Sequence, residues 1–176
     1  MSTATEQISA LLRPLGSGAT PYRLRWSVDD ASATPVTAPL SSLLIDPYVA
    51  SGGDPDDPPE SPAQDLSAAL KIFDYPADQL VTLLVDVCTQ VLHHPSLMYG
   101  PWDPETARPV LAEVVRILGP QARWWCNALL DPPSELPGGG RTGSYAFYPV
   151  TNWSADRVLI GAGAEAIVTF LTFVDD

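Results

Sequence analysis

Histidine and cysteine are scarce in this chain, and their spacing limits the chemistry they could support. The sequence has two residues of each type, and His93 stands next to His94 at the predicted end of a helix. Adjacent helical residues point about 100° apart, so both imidazoles could bind one metal ion only where the helix has unwound. A site drawn from Cys88, one histidine, Asp103 and Cys126 matches no spacing typical of zinc ligands. We therefore expect no metal site and no cofactor.

Patterns typical of nucleophilic catalysis and of phosphate binding are also missing. The sequence contains no G-x-S-x-G turn. Cys88 lies on the apolar stripe of a predicted helix, where a thiol acts as a small hydrophobic group, while Cys126 follows two tryptophans and is a minor candidate for a reactive thiol. The glycine-rich residues 138–143 lead into a predicted strand and lack the lysine and the helix of a phosphate-binding loop. We assign no catalytic residue and favour a non-enzymatic protein.

A short acidic segment is the densest group of charges in the sequence. Residues 54–60 contain the four carboxylates of Asp54, Asp56, Asp57 and Glu60, separated by prolines that keep the segment extended. Such a segment is either a solvated loop or a recognition element for a basic partner. Both interpretations remain open, and we assign these four residues to partner binding as a hypothesis.

Several aromatic residues fall near predicted element ends and loops, where one face of a ring can contact a partner. Aromatic rings are also ordinary core material, so a core role stays open for each of them. Trp124 and Trp125 could not both face inward from a helix in a single layer, and one of them should cover a loop or a partner. As partner-binding residues the sequence favours Trp102, Trp125 and Trp153.

Net charge is the most informative global property of the sequence. The 176 residues include 21 acidic and 9 basic side chains, which gives a formal charge of −12. Binding to nucleic acid requires a basic face, so we expect no direct nucleic-acid partner. An acidic surface instead favours a protein partner with a basic surface.

Length and hydropathy indicate one soluble domain over residues 1–176. Apolar residues make up 45% of the chain, enough for a sizeable core. No apolar run approaches the roughly 18–20 residues that span a bilayer, and the first residues lack the basic start and apolar stretch of a secretion signal. We expect a cytoplasmic protein without membrane contact, in which both cysteines stay reduced.

Periodicity predicts an α+β fold, with a layer of about four helices on a mostly antiparallel sheet of about four strands. Between the first strand and the second helix, at about residues 29–61, the sequence predicts a long surface loop rich in proline and aspartate. The last three strands are expected to form an antiparallel meander. Helices are predicted over residues 3–12, from a capping box at 61–64 to residue 74, over 76–93, from 106 to 118, and in a last piece around 124–129. Strands are predicted over residues 22–28, 144–151, 157–160 and 165–174.

A small acidic α+β chain without catalytic motifs resembles, in a general way, the bacterial immunity and inhibitor proteins that block a basic toxin or enzyme. This resemblance implies a non-enzymatic protein that binds another protein. One alternative is a small-molecule-binding domain or small enzyme, with a pocket between sheet and helices and with His93, Asp103 and Tyr99 as its polar groups. A second alternative is a structural or self-assembling component whose strand edges pair with other copies. The sequence leaves the oligomeric state open.

Overall fold

The computed structural model describes residues 2–15, 24–32, 34–45, 66–91, 94–98, 102–130, 134–135, 141–142, 145–151 and 155–174. Five of the predicted partner-binding residues lie outside these segments, namely Asp54, Asp56, Asp57, Glu60 and Trp153. The described residues contain helices and an antiparallel sheet, so the fold is α+β. No helix among them is long and apolar enough to span a membrane.

The described segments contain five α-helices and eleven strands, most of them short. The helices are α1 (Ala4–Leu12), α2 (Ala38–Leu44), α3 (Leu66–Ala69), α4 (Ala77–Thr89) and α5 (Pro104–Leu118). The strands are β1 (Leu24–Asp30), β2 (Lys71–Phe73), β3 (Gln90–Val91), β4 (His94–Met98), β5 (Arg123–Cys126), β6 (Ala128–Leu130), β7 (Ser134–Glu135), β8 (Arg141–Thr142), β9 (Tyr145–Phe147), β10 (Ala155–Ala162) and β11 (Ala166–Val174).

The main sheet has five strands in the order β1-β11-β10-β5-β2, and every neighbouring pair is antiparallel. β11 lies between β1 and β10 and forms the longest strand. Its residues 166–173 are all buried, so both faces of this strand are covered. Burial on both faces explains why its sequence is almost continuously apolar and does not alternate with polar residues.

The two faces of the sheet pack against different elements. On one side, which we call the helical face, α1, α4 and α5 cover the inner side chains of the sheet, and Leu84 of α4 and Leu111 of α5 are fully buried there. On the other side, which we call the mixed face, α2, α3 and Val150 cover Ile160, Ile167 and other strand residues. The sheet therefore sits between two layers, whereas the sequence predicted a single helical layer.

Local sequence signals account for the starts of two helices on the helical face. The Thr3 hydroxyl accepts a hydrogen bond from the Glu6 backbone N–H, and the Glu6 carboxylate accepts one from the Thr3 backbone N–H, so the two residues form a capping box for α1. At α5, the Asp103 carboxylate accepts a hydrogen bond of 2.8 Å from the Thr106 backbone N–H. α5 therefore begins two residues earlier than the predicted start at 106, with Asp103 as its N-cap.

The predicted helical piece around residues 124–129 is wrong, because this segment forms β5 and then β6. In β5 alternate side chains point to opposite faces: Trp124 and Cys126 lie in the core of the helical face, and Trp125 packs on the mixed face. In a strand, adjacent side chains point to opposite faces, so Trp124 and Trp125 can each pack on one side of the sheet, which a helix in a single layer would not allow. Trp124 lies across the sheet from Gly161, where an added Cβ atom would come within 2.5 Å of the Trp124 ring.

Three other predicted boundaries differ from the structure. The helix predicted to run to residue 74 ends at Ala69, and Lys71–Phe73 forms an edge strand because Phe73 packs on the helical face. The predicted loop at 29–61 contains α2, whose Leu40 and Leu44 are buried on the mixed face. The three-stranded C-terminal meander is reduced to the β10–β11 hairpin, since β9 pairs with β6 in a separate ladder. The main sheet has five strands, one more than predicted.

Candidate functional site

A stripe of polar side chains crosses the mixed face beneath α2. Arg25, Ser27 and Asp29 alternate along β1 and point to this face, and Thr169 of β11 stands directly opposite Ser27. Alternation of polar and apolar residues is typical of a half-buried strand whose polar side is exposed. In the structure only 8% of Arg25 is exposed, because α2 packs against β1 and β11.

Leu24 and Phe173 both contact the buried guanidinium of Arg25. Its Nη1 atom donates to the Leu24 carbonyl at 3.5 Å, a weak hydrogen bond at the limit of the usual range. Its Cζ atom lies 5.7 Å from the centroid of the Phe173 ring, which is within the range of a cation–π contact. The apolar ring therefore replaces part of the hydration that the cation has lost.

A fully buried carboxylate lies at the centre of a group of hydrogen bonds on the mixed face. Asp156, at the start of β10, has no exposed surface and accepts hydrogen bonds from four donors. The Oδ1 atom of Asp156 accepts from Asn127 Nδ2 at 2.6 Å. The Oδ2 atom of Asp156 accepts from the Val150 backbone N–H at 3.0 Å, and from the Thr151 backbone N–H and hydroxyl at 2.7 Å each. We call these four residues the Asp156 clamp.

Asn127 extends the Asp156 clamp to the neighbouring backbone. Its Nδ2 atom also donates to the Tyr148 carbonyl at 3.1 Å, and its Oδ1 atom accepts from the Val158 backbone N–H at 2.8 Å. The Tyr148 backbone N–H donates to the Asn127 carbonyl at 2.9 Å. One carboxylate and one amide thus hold residues 148–151 against the end of β5 and the start of β10.

The electrostatics of the Asp156 clamp are those of a structural group. Burial raises the pKa of Asp156, and the hydrogen bonds from Thr151, Val150 and Asn127 oppose this rise without reversing it. Because the carboxylate is enclosed on all sides, no substrate can reach it in this structure. The clamp can position backbone, and it cannot act as a general acid or base on a bound molecule.

An exposed apolar patch lies at the β2 edge of the main sheet. Ile72 is 62% exposed and stands directly across from the half-buried Trp125. Nearby, the Lys71 ammonium donates to the Ala68 carbonyl at 2.7 Å and lies 5.0 Å from the centroid of the Tyr148 ring, which is 39% exposed. We call Ile72 and Trp125 the edge patch. Exposed apolar and aromatic side chains beside an edge strand are typical of protein contacts.

A groove of about 580 Å³ separates α4 from α5 on the outer surface. Its floor is apolar and includes Val81 and Val115. Arg108 on its rim donates to the Thr82 hydroxyl at 3.3 Å, and Arg116 pairs with Glu113, its Nε atom 2.6 Å from the carboxylate. The paired guanidinium lowers the pKa of Glu113. Both ends of this pair are solvated, so the pair contributes little to stability.

The two thiols are unsuited to covalent chemistry in this conformation. Cys88 and Cys126 are free thiols, and each is 1% exposed. Burial alone raises the pKa of Cys88, which keeps the thiol protonated. Cys126 was the candidate for a reactive thiol because it follows two tryptophans. That hypothesis is not supported by its burial, since β5 directs Cys126 into the core of the helical face.

The predicted partner-binding residues that the structure describes have different environments. Trp102 is 5% exposed and packs in the core of the helical face, so it presents little surface to a partner. Trp125 is half-buried in the edge patch. Of the polar groups considered for a small-molecule site, Asp103 is the N-cap of α5, and the Thr106 backbone lowers its pKa. His93 and Tyr99 lie outside the described segments.

The Asp156 clamp is not predicted from the sequence. Asn127 lies in the segment predicted to be helical, and Asp156 comes just before the strand predicted over residues 157–160. The available signal was the alternation of Asp156, Val158 and Ile160, which places the aspartate on the same face as two core residues once β10 is extended to Ala155. Within the part of the chain that the structure describes, no three His, Cys, Asp or Glu residues are grouped to hold a metal ion.

Comparison of the chain with known protein families, with curated proteins and with solved structures finds no match.

Proposed function

We propose that this chain is a non-enzymatic acidic protein that binds another protein with a basic surface, as immunity and inhibitor proteins do. The distribution of charge is the observation that carries the proposal. Residues 46–65 contain six of the 21 acidic residues and none of the nine basic ones. A formal charge of −6, half of the −12 of the whole chain, is therefore concentrated in one continuous stretch that includes residues 54–60.

Concentrated charge favours a steering role. A cluster of like charges raises the encounter rate with an oppositely charged partner, and it does so most strongly at low ionic strength. The exposed acids of the described segments are interspersed with arginines such as Arg13, Arg108, Arg116 and Arg123, which weakens any field from that part of the surface. Steering is therefore assigned to Asp54, Asp56, Asp57 and Glu60.

The edge patch supports a second part of the same proposal, the contact that retains the partner. Ile72 is one of the most exposed large apolar side chains, and Trp125 beside it supplies the large flat surface that interface anchors provide. Buried anchors govern dissociation, while rim charges govern association. The proposal assigns these two roles to different residues, so they can be separated by experiment.

The test measures association and dissociation rates with a partner that is co-purified from the native host and then purified. In the first variant Asp54, Asp56, Asp57 and Glu60 are replaced by Asn or Gln. At about 0.05 M salt this variant should associate more slowly than the original chain, and at about 0.5 M salt the two rates should converge because charges are then screened beyond roughly 4–5 Å. Equal rates at low salt would refute the steering role.

A matched control separates local steering from total charge. Asp74, Asp78, Glu105 and Glu165 are exposed, and their replacement by amides changes the net charge by the same amount. The proposal expects a smaller loss of association rate from this control than from the first variant. An equal loss would show that net charge alone is responsible, and that residues 54–60 are a solvated segment.

The anchoring role is tested with two single variants, Ile72→Ala and Trp125→Ala. In each variant we expect faster dissociation from the partner with little change in the association rate. Trp125 also packs on the mixed face, so thermal denaturation of the free variants is needed as a control. Ile72→Ala removes mostly exposed surface, and unchanged dissociation in this variant and in Trp125→Ala would remove the edge patch from the interface.

A small-molecule-binding domain is the second candidate, and the groove between α4 and α5 is the observation that favours it. The groove is within the 300–1,000 Å³ range of ligand sites, but it is an open surface feature. Binding of a small molecule there should be weakened by Ala112→Trp, because Ala112 lines the groove and is exposed, so the larger side chain fills the groove without entering the core. Ligand binding that is unaffected by this change would place the site elsewhere.

A further inference from the structure

Three buried oxygen atoms of the polar stripe have no hydrogen-bond partner among the residues that the structure describes. They are Ser27 Oγ, Asp29 Oδ2 and Thr169 Oγ1. Thr169 is fully buried in the middle of β11. Buried polar atoms in proteins are nearly always hydrogen-bonded, to protein groups or to ordered water. Three exceptions in one place therefore require an explanation.

The pairing of β1 with β11 brings the three atoms to one location. Ser27 stands directly opposite Thr169, and Asp29 is the next residue of β1 on the same face. Opposite side chains in an antiparallel pair have Cβ atoms about 4.5–5.5 Å apart, a distance that one bridging water molecule can span. The neighbours of Thr169 on this face of β11, Ile167 and Leu171, are apolar and fully buried, so they offer no donor or acceptor.

We propose that one ordered water molecule bridges Ser27, Asp29 and Thr169 beneath α2. The water donates one hydrogen to the Asp29 carboxylate and the other to one hydroxyl oxygen, and it accepts a hydrogen from the other hydroxyl. This arrangement gives the three hydrogen bonds that buried water typically makes. All three protein oxygens then have a partner.

The number of ligands favours water over a metal ion. A hard cation such as Ca²⁺ takes six to eight oxygen ligands, and Mg²⁺ takes six. The stripe supplies three side-chain oxygens, of which only Asp29 carries a charge. A water molecule can donate two hydrogen bonds and also accept one. It therefore matches one carboxylate oxygen and two hydroxyl oxygens, because a hydroxyl can both donate and accept.

The sign of one substitution distinguishes a bridged hydroxyl from an unpaired one. Thr169→Val replaces the hydroxyl with a methyl group of similar shape. If the hydroxyl had no ligand, the variant would unfold at a higher denaturant concentration than the original chain, because an unpaired buried polar group has been removed. With the bridging water, the midpoint should fall.

A double-mutant cycle and a matched control complete this test. Ser27→Ala should also lower the midpoint, and adding it to Thr169→Val should cause less than the sum of the two losses, because both remove bonds to the same water. Thr172→Val is the control, since Thr172 is buried in the same strand on the opposite face. Its effect should add to that of Ser27→Ala. A raised midpoint for Thr169→Val, or full additivity with Ser27→Ala, would overturn the proposal.

A crystal structure of the full chain identifies the bound species directly. We expect one peak within hydrogen-bond distance of all three oxygens, unchanged when sodium chloride in the crystal is replaced by rubidium chloride. A strong anomalous signal at this position in rubidium would show a monovalent cation site and refute the water. An empty site would refute both.

Discussion

The two faces of the main sheet are stabilised in different ways. The helical face is an apolar core made by three helices, and its largest buried side chains include Leu84 and Leu111. The mixed face encloses Arg25, Asp156 and Thr169 beside its apolar residues. Apolar burial tolerates changes that conserve volume, whereas a buried polar network depends on each donor and acceptor. We therefore expect single-atom changes to matter most on the mixed face.

The largest effect is expected from Asp156→Ala on the mixed face. This change leaves one N–H of the Asn127 amide, the Val150 and Thr151 backbone N–H groups and the Thr151 hydroxyl without their acceptor. Removing one partner from a buried charged network costs about 3–5 kcal/mol, because the remaining donors are left unpaired, and we expect a loss of at least this size in the free energy of unfolding. Denaturant titration measures this loss. A loss under about 1 kcal/mol would show that water replaces the carboxylate and that the clamp is not structural.

On the helical face, the largest effect is expected from Leu84→Ala. Leu84 is fully buried in α4, and its truncation leaves a cavity that should cost about 2–5 kcal/mol. Asp86, two residues away and only partly buried, is the matched control, and Asp86→Ala should cost under about 1 kcal/mol. If the control were the more damaging of the two, the helical face would not depend on apolar burial as described.

A smaller effect is expected where the helical face has no spare volume. Gly161→Ala places a Cβ atom within 2.5 Å of the Trp124 ring, so the ring or the strand must shift. Overpacking of this kind costs about 1–3 kcal/mol. Combining Gly161→Ala with Trp124→Leu should recover part of the loss, since the smaller side chain makes room. If the double variant were no better than the sum of the two single changes, the contact with Trp124 would not be the cause.

The smallest expected effect is a change in stability with pH, which Asp156 should cause on the mixed face. Because burial raises the pKa of Asp156, the folded chain holds this proton more tightly than the unfolded chain does. The resulting contribution to stability is complete below the ordinary pKa of about 3.9 and is lost as the pH rises through the folded pKa. Asp156→Asn does not titrate, so its deficit relative to the original chain should be largest near pH 3 and should shrink toward pH 7. A deficit that grows with pH would show that the hydrogen bonds outweigh burial and lower the pKa.

The helical face was more predictable from sequence than the mixed face. The apolar periodicity of α1, α4 and α5 identified these helices because burial on one side leaves a pattern with a helical period. The mixed face depends on pairs that are far apart in sequence, such as Asn127 with Asp156, and no local pattern encodes them. β5 was misassigned because four residues containing two adjacent tryptophans fit either period when the strand partners are unknown. The position of Trp125 could not be predicted without the sheet register. The register pairs Trp125 with Ile72 of the edge strand, which leaves its side chain half-buried.

The central position of β11 has a consequence for the order of folding. Its two partners come from opposite ends of the sequence, since Leu24 of β1 pairs with Thr172 and Ala162 of β10 pairs with Ile167. Pairing of β1 with β11 is slow, because a loop that contains most of the chain must be closed before the contact forms. During synthesis β1 leaves the ribosome long before its partner exists. The apolar side chains of β1 therefore stay exposed until β11, the last described strand, has emerged. Until then the nascent chain can aggregate or bind chaperones.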